Sequence, residues 1–404
     1  MAKDSYGGHT VTALPVEHIT ETGDLERVCE EALEDGLYGL DTEFVRDRTY
    51  YPRLALVQLA TSHRIALIDP KTNVDLTPLF DTLSDPSGCP ILHASAQDLE
   101  LIWILSGALP ANLFDTQLAA AFVGLGQQTS YGNLVRNALG VTLDKGEQFT
   151  DWMQRPLEPS QIAYAADDVR YLRQLHDHLA NELEQCGRLE VVKEEQSLQL
   201  DPTRFEVNER TLLKKVKGAR GLPPKEQGAA RELALWREKT AQDRNIPRKW
   251  VLSDDALVAL AKQKPRHSHD LRRVRGLHPN EAKRSSSEIL EAVAHGLRNP
   301  LKPQENIRKL RLTPEGELAV DFLKPLLKTL CRRERIAPAT VGTSALLEEL
   351  AHGHLEGTLD SNPPRLLEGW RGLLVGQPLR QFLDGELSIQ LKQGSLEPQF
   401  RKVD

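Results

Sequence analysis

The chain has 404 residues, with 51 Lys and Arg against 58 Asp and Glu, giving a formal net charge of -7. A hydrophobic fraction of 40% and a charged fraction of 27% are those of an ordinary folded domain and exclude collagen-like, low-complexity and disordered classes. The length suggests two or three domains, and the net acidity, taken whole, argues against a polyanionic partner.

The first strand signal is Leu37 to Val45 (LYGLDTEFV), followed by Arg53 to Ala60 (RLALVQLA) and Ile65 to Asp69 (IALID). Short connections between them predict an antiparallel meander. Pro90 to Ala94 (PILHA) is a fourth strand. Helical periodicity then covers 96–105, 115–123 and 131–139. One long helix is predicted over 160–185, with Ser160 as its N-cap. An α/β domain therefore ends near residue 195. Beyond 205 almost no strand pattern is visible. Helices are predicted at 227–243, 253–263, 268–276, 279–296, 315–335, 343–353, 363–373 and 378–384, with a Pro-containing linker over 297–314. A shift of 90 residues aligns Ile246 with Ile336, Val251 with Val341, Leu257 with Leu347 and Leu260 with Leu350. This predicts a duplicated helical unit. The domain boundaries expected are 1–200, 208–298 and 312–388.

The net charge conceals a split. Residues 1–200 sum to -17 and residues 201–404 to +10, with +12 in 211–310 alone. A basic module can attract polyanion while an acidic one gathers cations, although such asymmetry also arises from solvated faces alone. Lys214, Lys215, Lys217, Arg220, Arg244, Arg248, Lys249, Arg272, Arg273 and Arg275 are among the basic residues, with Trp236 and Trp250 between them. No run of about 18 apolar residues predicts a membrane span, and residues 1–21 lack a leader pattern. Cys29, Cys89, Cys186 and Cys331 are scattered with no CxxC pair, as expected of reduced thiols in the cytoplasm. No GxxxxGK[ST] is present to cradle a nucleoside triphosphate.

Three segments carry acids that could do chemistry. Asp41 and Glu43 are i and i+2 on a strand and share a face; they suit a divalent cation, or an edge strand with both acids in water. Asp98 stands in the first turn of a helix, where the dipole alone would favour it. Tyr164 and Asp168 are i and i+4 on one helical face. Four carboxylates in one cleft would raise one another's pKa unless cations balance them, and two divalent ions are the recurrent solution for phosphodiester hydrolysis.

Gly39-Leu-Asp41-Thr-Glu43-Phe, Asp98 in an Asp-Leu-Glu helix, and Tyr164-Ala-Ala-Asp-Asp168 together resemble the DEDD exonucleases of the tyrosine subclass. Asp41-Thr-Glu-Phe-Val-Arg-Asp-Arg-Thr-Tyr-Tyr-Pro-Arg-Leu, Phe114-Asp-Thr-Gln-Leu-Ala-Ala, Thr150-Asp-Trp and Arg155-Pro-Leu resemble the bacterial ribonuclease D family, and the helical units look like its paired HRDC domains. The resemblance spans roughly residues 15–385. It implies a ribonuclease-H-like mixed sheet flanked by helices, followed by two small all-α domains. It implies Asp41, Glu43, Asp98 and Asp168 as ligands of two divalent ions, Mg2+ or Mn2+, with Asp41 bridging and Tyr164 orienting the attacking water. Asp168 rather than Asp167 fits the family pattern. The reaction implied is stepwise release of nucleoside 5′-monophosphates from an RNA 3′ end, with tRNA precursors bearing 3′ extensions as substrates. A DNA-directed exonuclease and a non-catalytic binding protein on the same scaffold are the rival readings. Phe44, Gln58, His93 and Lys145 are candidate substrate contacts; for Phe44 and His93 a place in the core is the competing expectation.

Overall fold

The computed structural model describes residues 14–144, 150–207, 209–301, 312–395 and 397–403. By contact the chain divides into two compact units. One comprises Met1–Glu43, Ala55–Leu200 and Leu310–Asp404; the other comprises Phe44–Leu54 and Asp201–Lys309.

The first unit is built on a six-stranded sheet. Its strands are β1 (Val16–Ile19), β2 (Leu37–Val45), β3 (Arg53–Ala60), β4 (Ile65–Ile68), β5 (Cys89–Leu92) and β6 (Phe114–Asp115), in the order β1-β4-β3-β2-β5-β6. β3 and β4 are antiparallel, whereas β1–β4, β2–β5 and β5–β6 are parallel. The sheet is therefore mixed, as expected, with two short strands, β1 and β6, that the sequence pattern did not signal. Four- and two-residue segments are too short to display a period.

Helices α1 (Thr22–Asp35), α2 (Thr77–Ser84), α3 (Ala96–Ser106), α4 (Thr116–Ala121), α5 (Tyr131–Leu139), α6 (Pro159–Arg170), α7 (Leu172–Gln185) and α8 (Leu189–Ser197) accompany the sheet. Two expectations are corrected here. The helix predicted from Asp115 begins at Thr116, because Asp115 ends a strand and caps the helix through bonds from the Gln117 and Leu118 N–H groups. The long helix predicted over 160–185 is two helices, broken at Tyr171 (φ -107°, ψ 2°). Its N-cap is also two residues earlier than expected: Glu158, not Ser160, caps it in a reciprocal capping box with Gln161, and Pro159 opens the helix.

Helix α6 lies close against β2. A Cβ on Gly39 would sit 3.1 Å from the Val169 carbonyl and 3.3 Å from Leu172, so the missing side chain brings the two backbones together. Ala165, Ala166 and Val169 are fully or almost fully buried in the same core.

The second unit packs α9 (Glu209–Lys215), α10 (Pro224–Asp243), α11 (Arg248–Val251), α12 (Asp254–Gln263), α13 (Ser268–Leu271), α14 (Pro279–Arg284) and α15 (Ser286–Arg298) around its own apolar cluster. Loop residues 44–54 belong to this unit. Tyr50 donates to Glu238 at 2.5 Å, and Asn245 accepts the Tyr50 and Tyr51 N–H groups at 3.1 and 3.0 Å.

The C-terminal helices are α16 (Pro314–Arg333), α17 (Pro338–Val341), α18 (Ser344–Leu355), α19 (Gly369–Arg371) and α20 (Gln377–Leu383), with a π-helical segment at Gly372–Gly376. The expected helix over 363–373 is thus three short pieces, beginning with a 3-10 turn at Arg365–Leu367. A final hairpin pairs β7 (Leu387–Leu391) with β8 (Pro398–Lys402); apart from Leu387 and Ser388 it lies beyond the expected 312–388 unit, in a stretch where no strand pattern was read. The 90-residue shift, by contrast, runs through the structure. α10 and α16 begin at 224 and 314 and end at 243 and 333, and α11 and α17 begin at 248 and 338. Asn245 and Arg335 occupy the same left-handed corner, with φ 46° and 54°.

Candidate active site

β2, α3 and α6 carry the acids. One carboxylate oxygen from each of Asp41, Glu43 and Asp168 falls within 4.8 Å of the others. No second group of His, Cys, Asp or Glu with this geometry occurs among the described residues. The strand period places Asp41 beside Glu43, and the Gly39–Val169 approach brings the neighbouring Asp168 to them. Asp98 is outside this trio. It accepts a short hydrogen bond from the Thr42 hydroxyl, and its charge raises the pKa of both Asp41 and Glu43.

The electrostatics are those of unbalanced acids. Burial, then Asp98, Asp168 and Glu43, hold the Asp41 carboxyl well above the usual range. Burial, Asp168 and Asp98 push Glu43 to about 8. Burial and Asp167 push Asp168 to about 7, and burial lifts Asp98 to about 6 against the opposing Thr42 bonds. Repulsion of this kind is relieved by a hard cation with oxygen ligands. The donor set therefore fits a hard divalent cation, with Asp41, Glu43 and Asp168 as the residues that would hold it.

Tyr164 is half-buried, and its ring lies 6.0 Å from that of Trp152. Burial, then Asp168, Glu43 and Asp41, raise its pKa, so its phenol stays protonated as a donor beside the acids. Asp167 turns instead to Arg170, at 2.7 Å.

The expected substrate contacts fare unequally. Phe44 is half-buried at the end of β2 and belongs to neither apolar cluster. Gln58 is fully buried within β3, with both amide atoms lacking a hydrogen-bond partner, and so offers nothing to solvent. His93 has both ring nitrogens engaged, Nδ1 at 2.9 Å from Thr116 Oγ1 and Nε2 at 2.9 Å from the Thr129 carbonyl. Burial lowers its pKa. Nε2 donates to the carbonyl, which can only accept. Lys145 lies outside the described residues.

Two residues that sequence reasoning missed organise the site. Asp115, almost fully buried, accepts from the Ala94 and Ser95 N–H groups and the Ser95 hydroxyl as well as from the start of α4. It thereby fixes the turn that launches α3 and Asp98. Tyr131, at the start of α5, packs edge-on against His93 with ring centroids 5.6 Å apart. Asp115 stands in a motif noted above, but nothing local marks Tyr131.

The sequence profile of the 3′-5′ exonuclease family matches residues 16–184, and that of the HRDC domain matches residues 226–293. The chain is 35% identical over 381 residues to ribonuclease D of Bartonella henselae, covering 94% of this chain and 92% of that protein. The chain belongs to the ribonuclease D family. It is also 38% identical to ribonuclease D of Gluconacetobacter diazotrophicus, over 96% of this chain and 97% of that protein. The crystal structure of Escherichia coli RNase D, an exoribonuclease involved in structured RNA processing, superposes with a TM-score of 0.78 at 32% identity, covering 92% of this chain and 99% of that one. The catalytic core of RRP6 from Trypanosoma brucei shares the fold, with a TM-score of 0.55 at 20% identity over 74% of this chain and 85% of that one.

Proposed function

We propose that this ribonuclease D-family chain is a 3′→5′ exoribonuclease that removes nucleoside 5′-monophosphates from RNA 3′ ends, with tRNA precursors bearing 3′ extensions as the substrate. The convergence of Asp41, Glu43 and Asp168 carries the reading. Two divalent cations bound there, Mg2+ or Mn2+, would supply the positive charge that acidifies water and balances the leaving 3′ oxygen. Asp98 adds a fourth carboxylate, fixed by Thr42. Tyr164, protonated, donates its O–H to orient the attacking water. Phe44, which follows Glu43 in the chain, would stack on the terminal base.

The basic residues of the second unit serve as phosphate contacts, which position RNA without reading its sequence. Lys214, Lys215, Lys217, Arg272, Arg273 and Arg275 are exposed, and Trp250 is 59% exposed among them. We read residues 312–388 as a second HRDC-like copy. The shared helix boundaries at a 90-residue offset support this, although the copy packs into the same apolar cluster as the sheet and helices of the first unit. The domain division 1–200, 208–298 and 312–388 is therefore one of ancestry. A cytoplasmic location is part of the same reading; all four cysteines are free.

The test compares wild type with Asp168→Asn on a 3′-extended tRNA precursor and on matched single-stranded DNA, with Mg2+ or Mn2+. Release of 5′-monophosphates from RNA by wild type alone is the expected result. Equal activity in the variant removes the site assignment, and preference for DNA replaces the substrate.

A further inference from the structure

The break between α6 and α7 falls three residues after Asp168, where the sequence Asp167-Asp-Val-Arg-Tyr-Leu172 contains neither proline nor glycine. A side chain supplies the cause. In a continuous helix the Tyr171 N–H would donate to the Asp167 carbonyl. Tyr131 Oη occupies that place: it donates to Asp167 O at 3.0 Å and accepts from Tyr171 N at 3.2 Å. One hydroxyl thus takes both ends of a helical hydrogen bond, and side-chain insertion into the ladder is a recognised origin of helix kinks.

We infer that Tyr131 is a positioning residue for Asp168; the inference rests on the metal-binding reading of the acidic trio. The Tyr131 hydroxyl anchors the peptide that leads directly into Asp168. It sets where α6 ends and hence the direction in which the Asp168 carboxylate approaches Asp41 and Glu43. The ring is in turn held by His93, whose two nitrogens tie the end of β5 to Thr116 and to the loop carrying Thr129. His93, expected from sequence to meet substrate or core, thereby becomes the support of Tyr131. Without the hydroxyl, the Tyr171 N–H keeps only its contact with the Val169 carbonyl and can return to the Asp167 carbonyl, straightening the helix and turning its last residues.

Tyr131→Phe keeps the ring and removes only the inserted atom. Calorimetric titration with Mn2+ is expected to show binding weakened by about 10-fold, the scale seen when a support of a metal ligand is lost. At limiting Mn2+, kcat falls and is recovered at high Mn2+, while KM for RNA stays within about twofold. Leu179→Ala, in the fully buried α7 core away from the junction, destabilises the fold by about 2–5 kcal/mol and is expected to leave Mn2+ affinity unchanged. Unaltered Mn2+ binding in Tyr131→Phe, or equal weakening in Leu179→Ala, overturns the inference. Asp168→Asn separates the two levels. If that variant binds Mn2+ as wild type does, the metal-site reading itself falls; if it loses binding while Tyr131→Phe retains it, only the positioning role falls.

Discussion

Arg371 and Glu195, 176 residues apart, join side chains in a two-pronged fork, Nη1 to Oε1 at 2.8 Å and Nη2 to Oε2 at 2.9 Å. Trp370 Nε1 donates to the same carboxylate at 3.0 Å, and the Arg371 guanidinium lies over the Trp370 ring. Both charged side chains are nearly buried, at 10% and 12% exposure. Removing one partner leaves the other charge stranded, so Glu195→Ala is expected to cost about 3–5 kcal/mol. Chemical denaturation measures this, and a loss below 1 kcal/mol, the scale of an exposed pair, would contradict it.

The unbalanced acids make a sign-definite prediction about pH. Glu43 and Asp168, at about 8 and about 7, stay protonated in the metal-free folded state well past the pH at which the unfolded chain loses those protons. Folded-state pKa values above the unfolded ones give stability that is present at low pH and lost as pH rises through about 4 to 8. The thermal midpoint of chelator-treated protein should therefore fall across this window relative to Asp168→Asn. Parallel curves for the two proteins would refute it. Added Mg2+ should restore stability most at the upper end, because binding displaces protons.

Tyr164→Phe removes a single O–H beside the acids while leaving the ring against Trp152. A drop in kcat of about 10²-fold with little change in KM is expected if the phenol orients the nucleophile. Steady-state rates at saturating Mg2+ decide it, and a kcat near wild type would assign the hydroxyl no such part.

RNA binding should weaken steeply with salt. For single strands the slope of log K against log salt is about -0.7 per phosphate neutralised. Replacing Lys214 and Lys215 with Ala should flatten the slope by about 1.4 if each meets one phosphate. Fluorescence titrations with a 3′-tailed RNA over a salt series give the slope; an unchanged one would move the RNA path elsewhere.

In the second unit, α10 and α15 touch backbone to backbone at Gly228 and Gly296. A Cβ on Gly228 would collide with the carbonyl of Gly296 and lie 2.7 Å from that of Asn299. Gly228→Ala should destabilise this unit by about 1–3 kcal/mol, visible in its denaturant midpoint. An unshifted midpoint would mean that the helices can part at no cost.

The parts of the site that follow a short period were legible from sequence. Asp41 with Glu43 obeys the two-residue strand repeat and Tyr164 with Asp168 the helical one, so their shared faces could be read directly. The repeated corner at Asn245 and Arg335 was also visible as co-linear apolar matches. What escaped was set by tertiary insertion. The helix break at Tyr171 is imposed by a hydroxyl 40 residues earlier, while the apolar periodicity runs on through it unbroken. Gln58 and His93 were read as lying near strand ends; full burial decided otherwise for Gln58, and local hydrogen-bond partners for His93. The final hairpin packs too little of its surface to leave a strong pattern.

The duplicated corner has a use that its two copies share. At Asn245 the corner holds loop 49–51 through two backbone bonds. At the equivalent position Arg335 pairs with Glu182, and Ala337 just beyond donates its N–H to the Ala121 carbonyl at 2.8 Å. In each copy the left-handed residue between long and short helix grips a segment drawn from the first 200 residues. Duplication therefore copied a clasp: in the second unit it holds loop 49–51 within that unit, and in the C-terminal helices it holds them to α7 and α4, so cutting those helices away would strip a handhold from the sheet-bearing unit.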